Sequence, residues 1–206
     1  VLTDRMRAAA VGHELPMVVR AAARGGADTV VLRDKDLTGE ERLAVGRTVV
    51  EALVDTATRL VVASDVALAQ QLGASGVHLA QGDESIDARD RGELIVGRSC
   101  HDRDQVAAAR AEGIDYITIS PVFFTASKPG YGPALGPDGA VALLADGADV
   151  QVAYGLGGIA PDNAAACLRA GLGGIAVMGG VMASADPRRT VTELVAAVTP
   201  RAEATR

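Results

Sequence analysis

Aromatic residues are nearly absent: three tyrosines, two phenylalanines and no tryptophan stand in 206 residues. A core without large rings has to be built from Ala, Val, Leu and Ile, which suits close packing of helices on a sheet. Cysteine is scarce too. Cys100 and Cys167 form neither a CxxC pair nor a framework of bridges, which argues against a disulfide-stapled scaffold and a thiolate metal site and points to a reduced, cytoplasmic chain. Positive charge is in deficit, with 20 Lys plus Arg against 26 Asp plus Glu and a net charge of −6. That balance argues against a nucleic-acid partner or an acidic membrane surface, while leaving room for a small basic pocket. No apolar stretch approaches the roughly 20 residues that a membrane span needs. No signal-peptide pattern is visible after Val1.

Small apolar residues and glycine are plentiful. Hydrophobic residues make up 49% of the chain and charged ones 22%, with 24 glycines, the profile of a globular protein rather than a disordered one. One pattern recurs: an Ala-rich helical stretch, a Gly, then a short β-branched run. Gly25-Gly26 leads to Thr29–Arg33, Gly73–Gly76 to Val77–Leu79, Gly113 to Tyr116–Ile119, and Gly171–Gly174 to Ile175–Met178. Gly supplies the helix C-cap, and the run that follows reads as a strand buried on both faces. Further strands are expected at Leu60–Ala63, Leu94–Gly97 and Val150–Tyr154, with Val1–Thr3 as a candidate first strand. Helical patterns cover roughly 14–25, 39–57, 66–72, 85–92, 103–112, 137–147, 161–170 and 187–199. Eight strands alternating with eight helices, without a long linker, predict a single α/β domain over residues 1–206, a (β/α)8 TIM barrel.

Chemistry in such barrels collects at the C-terminal ends of the strands. Arg33 and Lys35 follow the second strand, two cations able to address one polyphosphate or to pair with Asp34 and Asp36 on the surface. Ser64-Asp65 follow the third and Asp83-Glu84 the fourth. Asp65 and Asp83 can share a Mg2+ with substrate phosphate oxygens, and both also suit a helix N-cap. The fifth strand ends in Ser99-Cys100-His101, where a Cys–His dyad is geometrically poor because neighbours on a strand face opposite ways. The loop after the sixth carries Thr125, Ser127 and Lys128 among Gly and Pro, an oxyanion cradle. Gly157-Gly158 and Met178-Gly179-Gly180 end the last two strands, where exposed amides receive phosphate in many barrels. Residues alone thus indicate a barrel that holds a phosphorylated small molecule, with no reaction specified.

Leu32-Arg33-Asp34-Lys35, Gly76-Val77-His78-Leu79-Ala80-Gln81-Gly82-Asp83, Gly97-Arg98-Ser99-Cys100-His101, Ser120–Lys128 and Gly157-Gly158-Ile159, in this order, resemble the thiamine phosphate synthase and thiazole tautomerase superfamily. The resemblance runs over essentially the whole chain and implies a (β/α)8 barrel. It implies a transferase that joins a hydroxymethylpyrimidine pyrophosphate to a thiazole phosphate with loss of pyrophosphate, in a Mg2+-dependent reaction. By position, Arg33, Lys35 and Lys128 would hold the pyrophosphate, Ser99 would face the pyrimidine, and Asp65 and Asp83 would bind the metal. Thr125, Ser127, Gly157, Gly158, Met178 and Gly179 would bind the thiazole phosphate. The partners implied are phosphorylated heterocycles, and a homodimer is compatible.

Val31 stands where the family has a Gln toward the pyrimidine, and Ser64-Asp65 stands near its Asn-Asp pair. Met178-Gly179 stands where an aliphatic residue and a Ser are usual. The thiazole half is therefore the better kept. A tautomerase-like proton transfer is the alternative, but Pro121 occupies the position of that branch's His, so His101 or Cys100 would have to replace it. A member that only binds the thiazole phosphate is the third reading.

Overall fold

A computed structural model describes residues 1–125, 133–144 and 152–199. Among the described residues seven parallel strands lie in strict sequence order: β1 (Thr29–Leu32), β2 (Arg59–Ala63), β3 (Gly76–Leu79), β4 (Ile95–Cys100), β5 (Tyr116–Ile119), β6 (Ala153–Leu156) and β7 (Gly174–Ala176). The helices among the described residues are α1 (Arg5–Ala10), α2 (Leu15–Arg24), α3 (Gly39–Leu53), α4 (Val66–Gln71) and α5 (Ala88–Arg91). After them come α6 (Arg103–Ala111), α7 (Gly136–Ala142), α8 (Ala164–Ala170), α9 (Gly179–Met182) and α10 (Pro187–Val198).

The α/β barrel expected from the alternation is present, as a near-barrel of seven strands. The eighth candidate, Val1–Thr3, makes one parallel bridge, Leu2 to Val31. Its backbone nevertheless joins the two edges of the curled sheet. Leu2 N donates to Val177 O just past β7 (2.8 Å), while Thr3 N donates to Val31 O (2.9 Å) and Val31 N to Val1 O (2.8 Å). Three residues are too few for a ladder, yet they cover the amides and carbonyls that two open edges would leave exposed. Thr3 then turns into α1, whose first turn is capped by Asp4, the Asp4 carboxylate accepting from Arg7 N at 3.1 Å. The expected helix at 39–57 ends at Leu53 because Val54 is extended and Asp55 takes φ +62°.

The two faces of the sheet are packed differently. Outward residues of the strands (Val30, Leu32, Val62, Val77, Val96, Ile117) meet Val18, Val19, Val49, Leu68 and Val106 from the helices in the main core. Truncating Leu32, Leu68 or Ile117 to Ala costs about 2–5 kcal/mol. The inside holds a smaller apolar cluster, Leu2, Val31, Val61 and Ala63 with Leu156, Ala176 and Met178 against it. Across from it β3, β4 and β5 carry the polar His78, Ser99, Tyr116 and Thr118. Glycine makes room for the few rings. A Cβ at Gly97, the register partner of Tyr116, would lie 2.0 Å from Tyr116 Cζ, and one at Gly174, the partner of Tyr154, 2.6 Å from Tyr154 Cε1.

Candidate active site

A cavity of about 530 Å³ opens at the C-terminal ends of the strands, within the range of sites for small organic ligands. Arg33, Lys35, Ser99, Thr125, Gly157, Gly158, Met178 and Gly179 all border it. Ser127 and Lys128 lie outside the described residues. Asp65 and Asp83 are not on the wall, and their surroundings differ sharply.

The cationic border is set by the loop after β1. Asp34 is 4% exposed and ties this loop to the first residues of the chain. Its carboxylate accepts from Thr3 Oγ1 at 2.6 Å and Arg5 N at 2.8 Å, and Thr3 Oγ1 in turn accepts from Arg33 N at 2.8 Å. With Asp34 turned inward, Arg33 and Lys35 on either side of it reach the cavity. Lys35 Nζ donates to Ser64 Oγ at 2.5 Å and stands 4.0 Å from Asp83 Oδ2. Ser64 sits at φ +59°, a left-handed conformation uncommon for a residue with a Cβ, and its hydroxyl donates to Asp83 Oδ2. That oxygen also accepts from Ala80 N at 2.6 Å. Burial works to raise the Asp83 carboxyl, but the Ser64 and Ala80 donors, with the charges of Lys35 and Arg98, bring it below the usual carboxylate range. Arg98, 5% exposed, fastens the loop that carries Asp83 by donating to Ala80 O (3.2 Å) and Asp83 O (2.9 Å), with Glu112 paired to it at 2.8 Å.

Asp65 does not join this group. One of its oxygens accepts from Leu68 N at 2.8 Å as the N-cap of α4, and the other stands 3.7 Å from Arg42 Nη1. Arg42 itself holds the ends of two strands, donating to Leu32 O and Ala63 O at 3.2 and 2.7 Å. The Asp65 oxygens are thus engaged by a helix amide and by an arginine, a setting unlike that of Asp83. No cluster of three or more His, Cys, Asp or Glu suited to a metal occurs among the described residues. Asp83 alone fits Mg2+ in one respect: Oδ2 is engaged, while Oδ1 takes no hydrogen bond among the described residues. A single carboxylate supplemented by phosphate oxygens is a common way to hold this ion.

The opposite border is made of main chain. Gly157 and Gly158 take φ +100° and +64°, and the loop after β5 lies against them, with Phe123 N donating to Gly157 O at 2.9 Å. A Cβ on Gly158 would come 2.3 Å from Phe124 O. Asn163 braces the turn from behind, its Nδ2 donating to Gly158 O at 3.0 Å and its Oδ1 accepting from Ala160 N at 2.9 Å. Gly179 and Gly180 complete this side.

At the floor of the cavity, and itself lining it, lies a residue that the sequence pattern did not single out. His78 is 6% exposed, with Nδ1 3.1 Å from Tyr116 Oη and Nε2 3.0 Å from Ser99 Oγ. Burial, then the charge of Lys35, push its imidazole down to about 4, so it is neutral near pH 7. The one signal in the sequence was its place on an otherwise apolar strand, where a polar side chain needs an inward partner. Asp4 and Arg7 from α1 also border the cavity, an element the sequence pattern did not reveal. The Cys100–His101 dyad is excluded by geometry. Cys100 is fully buried with Sγ 3.6 Å from Gln105 O, and burial pushes its thiol up to about 11, while His101 Nδ1 faces Ser120 O at 2.8 Å.

Comparison with known proteins agrees with this architecture. The family model for thiamine monophosphate synthase matches residues 1–181. Thiamine-phosphate synthase of Roseiflexus sp. (strain RS-1) is 35% identical over 201 residues, 96% of this chain and 84% of that protein. The protein of the same name from Natronomonas pharaonis is 36% identical over 191 residues, 91% and 89% of the two chains. Among solved structures, thiamine phosphate pyrophosphorylase from Pyrococcus furiosus superposes with a TM-score of 0.81 at 28% identity, covering 96% of this chain and 93% of its own. With a family match over residues 1–181 and relatives above 30% identity along most of its length, the chain belongs to the thiamine monophosphate synthase family.

Proposed function

We propose that this protein is a thiamine-phosphate synthase, a transferase that joins hydroxymethylpyrimidine diphosphate to a thiazole phosphate. The carbon–oxygen bond between the pyrimidine methylene and its diphosphate breaks. The thiazole nitrogen lone pair forms the new carbon–nitrogen bond, and pyrophosphate leaves with the electrons of the broken bond. Little covalent work falls to the protein, so rate comes from positioning and from charge placed where the leaving group develops its own.

The observation that supports this reading most is the meeting of two kinds of lining in one cavity of about 530 Å³: Arg33 and Lys35 from the loop after β1, and Gly157, Gly158 and Gly179 from the loops after β6 and β7. In the proposal Arg33 and Lys35 bind the diphosphate and stabilise it as it departs, and Lys128 assists them. Ser99 faces the pyrimidine. Thr125, Ser127 and the amides around Gly158 and Gly179 hold the thiazole phosphate, while Val31, Leu156, Ala176 and Met178 give the rings apolar walls that keep water from the cationic methylene. Asp83 is the residue that would hold Mg2+, whose charge would add to that of Lys35 at the leaving group. A cytoplasmic setting is part of the proposal, in keeping with two buried unpaired thiols, Cys100 and Cys167.

The test is direct. Incubation of the folded protein with hydroxymethylpyrimidine diphosphate, thiazole phosphate and Mg2+ gives thiamine phosphate and pyrophosphate in equal amounts, and EDTA abolishes both. Absence of product from protein with a native circular dichroism spectrum would refute the assignment, and full turnover in EDTA would refute the metal.

A further inference from the structure

Three polar side chains inside the barrel form a chain that ends at the cavity. Tyr116 Oη lies 3.1 Å from His78 Nδ1, and His78 Nε2 lies 3.0 Å from Ser99 Oγ, which borders the cavity. Thr118 Oγ1 flanks the last step, 3.5 Å from Ser99 Oγ and 3.4 Å from Nε2. The imidazole is stacked against the Tyr116 ring, with centroids 5.5 Å apart and planes at 28°. This placing depends on Gly97, since a Cβ there would overlap the phenol ring.

A neutral imidazole has one donor and one acceptor nitrogen, so the chain can run in one of two directions. If Nδ1 carried the proton, it would donate to Tyr116 Oη, and the phenol hydrogen would have no acceptor among the described residues. Nε2 would then accept from Ser99, and the serine would offer the cavity only lone pairs. If Nε2 carries the proton, the phenol donates to Nδ1, Nε2–H donates to Ser99 Oγ, and Thr118 can add its own hydrogen to the same oxygen. Each donor then has an acceptor except the Ser99 hydrogen, which is directed at the cavity. In the second arrangement every inner donor meets a protein acceptor, whereas the first leaves the phenol hydrogen to whatever fills the second cavity, of about 440 Å³, that Tyr116 borders. The fully paired network is the one the side chains complete among themselves. Burial also pushes the Tyr116 phenol well above its ordinary range, so its proton stays in place.

We propose that Tyr116 and His78 are positioning residues that fix the Ser99 hydroxyl as a hydrogen-bond donor toward the cavity, so that the site selects a ligand atom with a lone pair, a ring nitrogen of the bound heterocycle. The ligand class rests on the proposed synthase function; the direction of the hydroxyl does not.

The deciding experiment is 15N NMR of the full-length protein labelled at histidine, at pH 7. His78 is identified as the ring whose Nδ1 resonance moves in Tyr116→Phe. The expected spectrum has a protonated Nε2 and an unprotonated Nδ1; a proton on Nδ1, or on both nitrogens, overturns the proposal. Kinetics supply a second arm. Tyr116→Phe keeps the ring and lowers kcat/KM for the pyrimidine diphosphate about fivefold, the loss of one neutral hydrogen bond, but has no effect in a Ser99→Ala background. An equal loss in both backgrounds would make Tyr116 a packing residue and end the argument. If the wild-type protein makes no thiamine phosphate, the synthase assignment falls while the NMR measurement still decides the hydroxyl's direction.

Discussion

The two borders of the cavity use opposite means. On the β1–β3 side charge is carried on side chains, Arg33 and Lys35, with Ser64 linking Lys35 to Asp83 behind the wall. On the β6–β7 side the wall is main chain, Gly157-Gly158 and Gly179-Gly180, in conformations and contacts that leave no room for a Cβ at Gly158. A side chain contributes a full charge but has to be held in place, here by Asp34, Ser64 and Arg98. A main-chain turn contributes only dipoles, yet its position is set by the covalent chain and its packing. The first border suits a leaving group whose charge grows during reaction, the second a phosphate whose charge does not change.

The difference predicts unequal consequences of substitution. In the proposed reaction, replacing Arg33 or Lys35 with Ala removes a charge that counts most in the transition state. Each lowers kcat by about 10²–10³-fold with little change in thermal stability, because Lys35 is half-exposed and neither residue belongs to the core. A loss confined to KM would mean that the two cations bind the ground state and transition state alike. Gly158→Ala acts the other way. Its Cβ would meet Phe124 O at 2.3 Å with φ at +64°, and a left-handed Cβ residue alone costs about 1–3 kcal/mol. The expected outcome is a lower melting temperature together with a KM for thiazole phosphate raised about tenfold. An unchanged KM in the folded variant would show that the turn is scaffold and the phosphate lies elsewhere.

Asp83 sharpens the comparison through pH. Its carboxyl lies below the usual range in the folded protein, so its contribution is complete above the unfolded value of about 3.9 and is lost as pH falls through the lower folded value. Wild type is therefore more stable than Asp83→Asn in urea at pH 7, and the gap closes below about pH 4. A gap that persists undiminished in strong acid would mean that the Asn distorts the loop rather than removing a charge. The same variant needs more Mg2+ for half-maximal rate if Asp83 is the metal's ligand.

The alternation of Ala-rich helices with β-branched runs carried the barrel, because most of these runs are buried on both faces, as in β1 to β5, and read the same whatever their neighbours are. It missed the status of Val1–Thr3, since a segment that closes a sheet by backbone hydrogen bonds has no periodicity to betray it. α1 and α9 escaped for a similar reason, being too short for a helical pattern. At the site, Arg33, Lys35, Ser99 and Gly158 were visible because strand ends are where such folds place polar residues and glycine. His78, Ser64 and Arg98 were not, because their roles depend on which neighbour strand faces them: His78 needs Tyr116 at a separation of 38 residues, and Ser64 needs Asp83 at 19. Local sequence cannot tell a capping aspartate from a metal ligand either, and that ambiguity joined Asp65 to Asp83.

Asp65 gives the smallest effect and the most pointed contrast with Asp83, since the two carboxylates stand at neighbouring strand ends. Asp65 caps α4 and faces Arg42, which is 7% exposed and already bound to two strand-end carbonyls. Asp65→Ala therefore costs the cap, about 1 kcal/mol, and leaves Arg42 with its carbonyl partners. The Mg2+ concentration for half-maximal rate should be the same as in wild type, whereas Asp83→Asn raises it. If Asp65→Ala raised it as well, the α4 cap would have to open when diphosphate binds. The cationic border would then rearrange around its substrate, as the fixed main-chain border opposite cannot.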